Sequence, residues 1–132
     1  MHVPPGFGVV TPYIFVDDAD GYLNFLERAF GCEEQGRSLR ADGKIANAQM
    51  AFGPTMVMIS EATPAFPGGR SAFYLYVADA DASMVRATEA GAERIMDVSN
   101  MPYGDRQGGV RDGAGNIWWI SQRLSPEPYF KS

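Results

Sequence analysis

The chain carries one histidine, His2, and one cysteine, Cys32, and these two counts limit the chemistry open to it. Imidazole is the commonest general base and a leading ligand for zinc, nickel and iron. With His2 at the terminus, no internal site of this chain is built around a histidine. A reactive thiolate needs a neighbouring base, a positive charge or a helix N-terminus. Cys32 follows Gly31 at a helix end, so it reads as structural, and a single cysteine makes no intramolecular disulfide. Asp17, Asp18, Asp20, Asp79 and Asp81 precede two helical patterns, where capping and complementarity to the helix dipole explain them better than a hard cation. Glu33-Glu34 and Glu61 read as solvated. Gly104, Gly108, Gly109, Gly113 and Gly115 match no dinucleotide or P-loop glycine pattern and read as turn glycines. What remains is aromatic: the adjacent Trp118 and Trp119, which a strand would send to opposite faces, and the tyrosines Tyr13 and Tyr74.

These side chains need a scaffold, and composition limits which kind. The 132 residues are 45% hydrophobic and 20% charged, as in a globular domain able to bury its own core. A net charge of −5 with no Lys/Arg run argues against a nucleic-acid partner. No run approaches the roughly 20 apolar residues of a membrane helix. The N-terminal residues lack a basic region followed by an apolar one, so a cytoplasmic protein is expected.

An internal repeat sets the architecture. An offset of 61 carries Tyr13-Ile14-Phe15-Val16 onto Tyr74-Leu75-Tyr76-Val77, Gly43 onto Gly104, and Met56–Ser60 onto Ile117–Ser121. Two modules, about 9–62 and 70–123, are joined by the turn-rich Thr63-Pro64-Ala65-Phe66-Pro67-Gly68-Gly69. Each opens with a β-branched and aromatic strand, then a capped helix. Tyr22, Leu23, Phe25, Leu26, Ala29 and Phe30 give the first helix its apolar face before Gly31; in the second, Met84, Val85 and Ala87 pack, and Gly91 ends it. Three short runs follow each helix: Arg37–Leu39, Ile45–Phe52 and Met56–Ser60, then Arg94–Val98, Gln107–Arg111 and Ile117–Gln122. The order is β-α-β-β-β, twice. Strand alternation puts Ile14, Val16, Leu75, Val77, Val57, Ile59, Trp118 and Ile120 against the helices. It turns Tyr13, Phe15, Tyr74, Tyr76, Met56, Met58, Ile117 and Trp119 the other way.

Specific runs accompany the repeat. Val16-x-Asp18 precedes Phe25-Leu26-x-x-Ala29-Phe30-Gly31, and Tyr103-Gly104-Asp105-Arg106-Gln107-Gly108-Gly109-Val110-Arg111-Asp112 precedes Gly115 and Trp118. Over about residues 9–123 the chain resembles the vicinal-oxygen-chelate superfamily (glyoxalase, bleomycin-resistance protein and dioxygenase), and the later run is similar to the signature of its PhnB-like branch. The resemblance implies an α+β fold in which two tandem βαβββ modules form one domain, 1–132, with a curved mixed β-sheet cleft and the helices outside. Metal-dependent relatives carry ligands at four positions that correspond here to Thr11, Met58, Ala72 and Trp119. None is His, Glu or Gln, so neither a metal nor another cofactor is expected. The branch's two histidines correspond to Asn47 and Asn116, amides that orient a ligand without titrating, and Gly113 replaces a turn proline.

The resulting expectation is a metal-free small-molecule binder. Its cleft is lined by Tyr13, Phe15, Asn47, Gln49, Met58, Tyr74, Arg106, Asn116 and Trp119, and it takes an aromatic or cationic ligand. Arg106 has a structural alternative, bracing the Gly104–Gly109 loop, and Trp119 has one as a plug. No residue is assigned a catalytic role. Two other readings stand beside the binder. One is a metal-dependent or cofactor-independent lyase, isomerase or dioxygenase of the same superfamily. The other is a structural homodimer with a filled cleft, favoured by sheet edges and by the apolar Pro128-Tyr129-Phe130 tail.

Overall fold

A computed structural model describes residues 2–130, and the chain divides into two compact units, Met1–Gly69 and Arg70–Ser132. The first holds β1 (Tyr13–Val16), α1 (Ala19–Phe30), β2 (Glu33–Leu39), β3 (Ile45–Phe52) and β4 (Thr55–Glu61). The second holds β5 (Ala72–Tyr76), α2 (Ala80–Glu89), β6 (Glu93–Asn100), β7 (Asp105–Arg111) and β8 (Ile117–Arg123). Each unit is a β-α-β-β-β module with a four-stranded sheet, in the order β1-β4-β3-β2 and β5-β8-β7-β6. The first strand of each runs parallel to the last and the remaining pairs are antiparallel, so both sheets are mixed. Among the described residues no helix is long and apolar enough to cross a membrane.

In each unit a helix packs on one sheet face, and the core lies between them. Tyr22, Leu23, Leu26 and Ala29 of α1 are buried with Ile14, Val16, Met50, Val57 and Ile59; Met84 and Ala87 of α2 are buried with Val110, Trp118 and Ile120. Val85, expected to pack, is exposed, because Ala80, Met84 and Ala87 fill the narrow stripe that α2 presents. Gly108 explains why that stripe suffices. A Cβ there would stand 2.8 Å from Met84 Sδ and 2.9 Å from Val98 Cγ2, so the missing side chain leaves room for the end of Met84 against the strand.

The helix starts are tied to the last strands of their own modules. Glu61, expected to be solvated, accepts the backbone N–H groups of Asp18 and Ala19, both at 2.9 Å. At its repeat position Gln122 accepts the N–H of Ala80 at 3.0 Å. Asp18 and Asp79 cap the next exposed amides, from Gly21 and Ala82, as the pattern implied. Asp18 does so in a left-handed conformation, φ 57°, and a Cβ on Gly21 would fall 2.3 Å from its carboxylate.

The registers refine the repeat. Met58 faces Gln49 and Trp119 faces Gly109, so β4 and β8 keep the offset of 61 while β3 and β7 are related by 60. The extra residue in the first module is Ala46, skipped between the pairs Ser38–Asn47 and Leu39–Ile45. The β7–β8 turn, longer by one residue than the β3–β4 turn, restores the count.

That longer turn is organised by Asp112. Its carboxylate accepts from the N–H groups of Ala114 and Asn116 and, at 2.8 Å, from the buried indole of Trp118. Replacing Asp112 with Ala orphans a buried indole donor. Chemical unfolding should show a loss of about 3 kcal/mol. Asp97→Ala, at a side chain that is 90% exposed, should move stability by less than about 0.5 kcal/mol.

Candidate functional site

Each sheet has a second face, opposite its helix, and the aromatic residues collect there. In the first module Tyr13 and Phe15 of β1 lie ring to ring at 4.9 Å, beside the partly exposed Met56 and Met58 of β4. Asn47 Nδ2 donates to the Tyr13 hydroxyl at 3.4 Å, and Gln49 Nε2 donates to Asn47 at 3.5 Å. Ser60 gives its own proton to the Ala46 carbonyl (2.6 Å), which leaves its oxygen to accept from Tyr13, also at 2.6 Å. The bulge at Ala46 thus supplies the acceptor that ends the chain. Five expected residues, Tyr13, Phe15, Asn47, Gln49 and Met58, meet on this one surface.

In the second module Tyr74 and Trp119 face each other across β5 and β8. Trp119 is partly exposed and rests against Gly109, where a Cβ would meet its ring at 2.6 Å. The small residue on the neighbouring strand is what allows the large one to lie down on the sheet.

Two expected residues lie elsewhere. Arg106 points to the helix side, where Nε and Nη2 clamp the Asp81 carboxylate at 2.7 and 3.0 Å and Nη1 reaches Asn100 at 3.0 Å. It braces β7 to the start of α2, a structural role other than the expected bracing of the Gly104–Gly109 loop. Asn116 is fully buried in the β7–β8 turn, where its carboxamide oxygen accepts the Ser71 N–H at 2.8 Å and ties that turn to the start of β5. Neither side chain is presented on the aromatic face.

The polar heart of the second module is a residue the spacing had not singled out. Asp105 has 0% exposure, yet it sits on the face opposite the helix. Its Oδ2 accepts from Tyr74 and, at 2.6 Å, from Tyr129; its Oδ1 accepts from Arg123 Nη1 at 3.0 Å. Next along β7, Gln107 donates to Ser121 at 2.7 Å and accepts from Tyr103. Burial alone would raise the Asp105 carboxyl, but the Tyr129, Tyr74 and Arg123 hydrogen bonds, with the Arg123 charge, hold it below the usual carboxylate range. The Tyr74 phenol moves the other way: burial and then the bond to Asp105 push it up to about 12. Alternation along Asp105, Gln107 and Gly109 was the available signal, since it places all three on the face of Trp119 and sends Arg106 to the other.

The four positions at which metal-dependent relatives carry ligands hold donors that do not fit a metal. Thr11 and Met58 offer a hydroxyl and a thioether; Ala72 and Trp119 offer no ligand. Among the described residues no group of three or more His, Cys, Asp or Glu side chains could hold a metal ion.

The profile of the Glyoxalase/Bleomycin resistance protein/Dioxygenase superfamily matches residues 6–120. An uncharacterized protein of Mycobacterium bovis is 32% identical over 124 residues, spanning 86% of this chain and 82% of that protein. The crystal structure of TioX from Micromonospora sp. ML1 superposes with a TM-score of 0.71 at 27% identity, over 87% of this chain and 99% of that one. TnmS3, described as an antibiotic binding protein from Streptomyces sp. CB03234, superposes with a TM-score of 0.68 at 22% identity, over 93% and 98% of the two chains.

The buried carboxylate has a signature in pH. Because the folded Asp105 pKa lies below its unfolded value, its contribution is present above the usual carboxylate pKa and is lost as pH falls through the lowered one. Tyr74, with a raised pKa, contributes below about pH 10 and loses that contribution as pH rises toward 12. The stability gap between the wild type and Asp105→Asn, measured by urea unfolding, should therefore be flat from about pH 5 to 9 and narrow below about pH 4. A gap that widened on acidification would contradict the ionised carboxylate.

Proposed function

The chain belongs to the glyoxalase/bleomycin-resistance/dioxygenase superfamily, and on that premise we propose that it binds small aromatic or cationic molecules without a metal. The observation that carries this reading is Trp119. It occupies a position where metal-dependent members place a ligand, and it lies partly exposed against Gly109 beside Tyr74. A hard coordination site has become a π surface, which attracts planar rings through area burial and cations through the ring quadrupole. The description of TnmS3 as an antibiotic binding protein agrees with small-molecule capture on this fold. In this reading the Tyr103–Asp112 run places the chain in the PhnB-like branch, and Tyr13, Phe15, Asn47, Gln49, Met58, Tyr74 and Trp119 contact ligand. The protein acts in the cytoplasm as a homodimer.

The lyase, isomerase and dioxygenase chemistries of the superfamily generally depend on a metal as Lewis acid or oxygen activator. The residue types at Thr11, Met58, Ala72 and Trp119 weigh against that assignment. The filled-face homodimer draws on Phe66, stacked on Phe15 at 5.8 Å, and on Tyr129, bonded to Tyr76.

A thermal-shift experiment separates the three. A planar aromatic cation such as N-methylquinolinium, at about ten times its dissociation constant, contributes about 1.4 kcal/mol and should raise Tm by roughly 4–8 °C. Trp119→Ala should abolish the shift. Stabilisation by Ni²⁺, Zn²⁺, Fe²⁺ or Mn²⁺ that chelator reverses would replace this reading with the enzymatic one. No response to any compound would favour the filled homodimer.

A further inference from the structure

The end of the chain seats a phenol on the second module. After β8, Arg123 Nη2 donates to the Glu127 carbonyl at 2.6 Å, and its guanidinium lies 4.0 Å from the centre of the Tyr129 ring. Tyr129 gives its proton to Asp105 at 2.6 Å, so its oxygen is left to accept from Tyr76, also at 2.6 Å. The hydroxyl is matched as acceptor and as donor, and the ring is matched by a cation.

Little else holds this segment down. Phe130 is 89% exposed, and Leu124 and Tyr129 are also exposed. The docking therefore rests on short polar contacts, one cation–π contact and a ring contact with Tyr103 at 6.5 Å, which a molecule of the same shape can replace. Beneath the ring, Asp105 keeps Tyr74 and Arg123 as donors and has lone pairs to spare. The vacated place would present an acceptor at Asp105, a donor at Tyr76 and a guanidinium plane at Arg123. The first module lacks this arrangement. Phe66 lies over Phe15, and the residue in register with Asp105 is Lys44, which is exposed.

Building on the aromatic-binding reading, we propose that the Asp105–Tyr76–Arg123 pocket receives the hydroxyl and ring of a phenolic ligand. Tyr129 is its tethered competitor, and a ligand enters by displacing the C-terminal segment. A tethered competitor lowers apparent affinity by the fraction of time the pocket stands open.

The test is calorimetric titration of p-cresol and 4-methylanisole, at pH 7, into the full chain, into Tyr129→Phe and into a chain ending at Leu124. 4-Methylanisole has the same ring but no proton to donate. Removing residues 125–132 should tighten p-cresol by about tenfold or more, the factor set by a pocket open no more than about a tenth of the time. Tyr129→Phe should fall between the two, and 4-methylanisole should stay weak in all three. Within the shortened chain, Asp105→Asn should bring p-cresol down to the level of 4-methylanisole. Should that variant fail to fold, Tyr76→Phe in the shortened chain should weaken p-cresol several-fold. Equal p-cresol affinity in full and shortened chains, or equal binding of the two compounds to the shortened chain, overturns the proposal. If both compounds bind alike and Trp119→Ala weakens both, the phenol pocket falls while the aromatic-binding reading stands. If neither binds and N-methylquinolinium is also silent, both fall.

Discussion

One helix covers one face of a four-stranded sheet, and every notable feature of this protein follows from what is done with the other face. In both modules the helix side is an ordinary apolar core, sealed by Leu26 and Met50 in the first and by Met84 and Ile120 in the second. The opposite face is built from tyrosine, phenylalanine, methionine and tryptophan with amide, hydroxyl and carboxyl groups between them. Such residues tolerate either water or a partner, because the rings bury area while their polar tips keep hydrogen bonds. Each module also folds the segment after its last strand back over that face. Phe66 covers Phe15 in the first and Tyr129 reaches Tyr76 in the second, and Phe15 and Tyr76 are related by the repeat.

The two faces differ in their polar centres. The first module arranges a neutral chain, Asn47 to Tyr13 to Ser60 to the Ala46 carbonyl, in which each hydroxyl proton has an acceptor. The second buries a carboxylate. A buried charge is tolerable only when paired and fully hydrogen-bonded, and Asp105 meets that condition through Arg123 and two phenols. Among the described residues no buried side-chain nitrogen or oxygen lacks a partner. The neutral face presents amide and hydroxyl groups; the charged one presents a carboxylate acceptor.

Much of this was legible before any coordinates. The offset of 61, the helix caps at Asp18 and Asp79, and the inward and outward sides of β1, β4, β5 and β8 follow from periodicity, and periodicity survives folding. The site was legible only where strand parity could be anchored. Tyr13, Tyr74, Met58 and Trp119 lie on strands whose alternation is unbroken. Arg106 and Asn116 were misplaced for different reasons. The Arg106 side followed only once β7 was registered against Trp119 through Gly109, and Asn116 belongs to a turn whose hydrogen bonds are not written in any period. Glu61 and Asp105 escaped because their partners, the Asp18 and Ala19 amides and the Tyr129 phenol, are distant in sequence.

The glycines Gly108 and Gly109 show how both faces of one strand were set together. Gly108 admits Met84 on the helix side, and Gly109 admits Trp119 on the other. A side chain at the first would displace the end of the Met84 side chain, and one at the second would displace the indole. The same dipeptide thus links the tightness of the core to the presence of a π surface where metal-dependent relatives hold a ligand. Asp105 is already ionised and oriented by Arg123, so it can recognise a donor by hydrogen bonding alone. Recognition of that kind requires only that a guest present a donor, because the Arg123 bond already fixes the carboxylate in place.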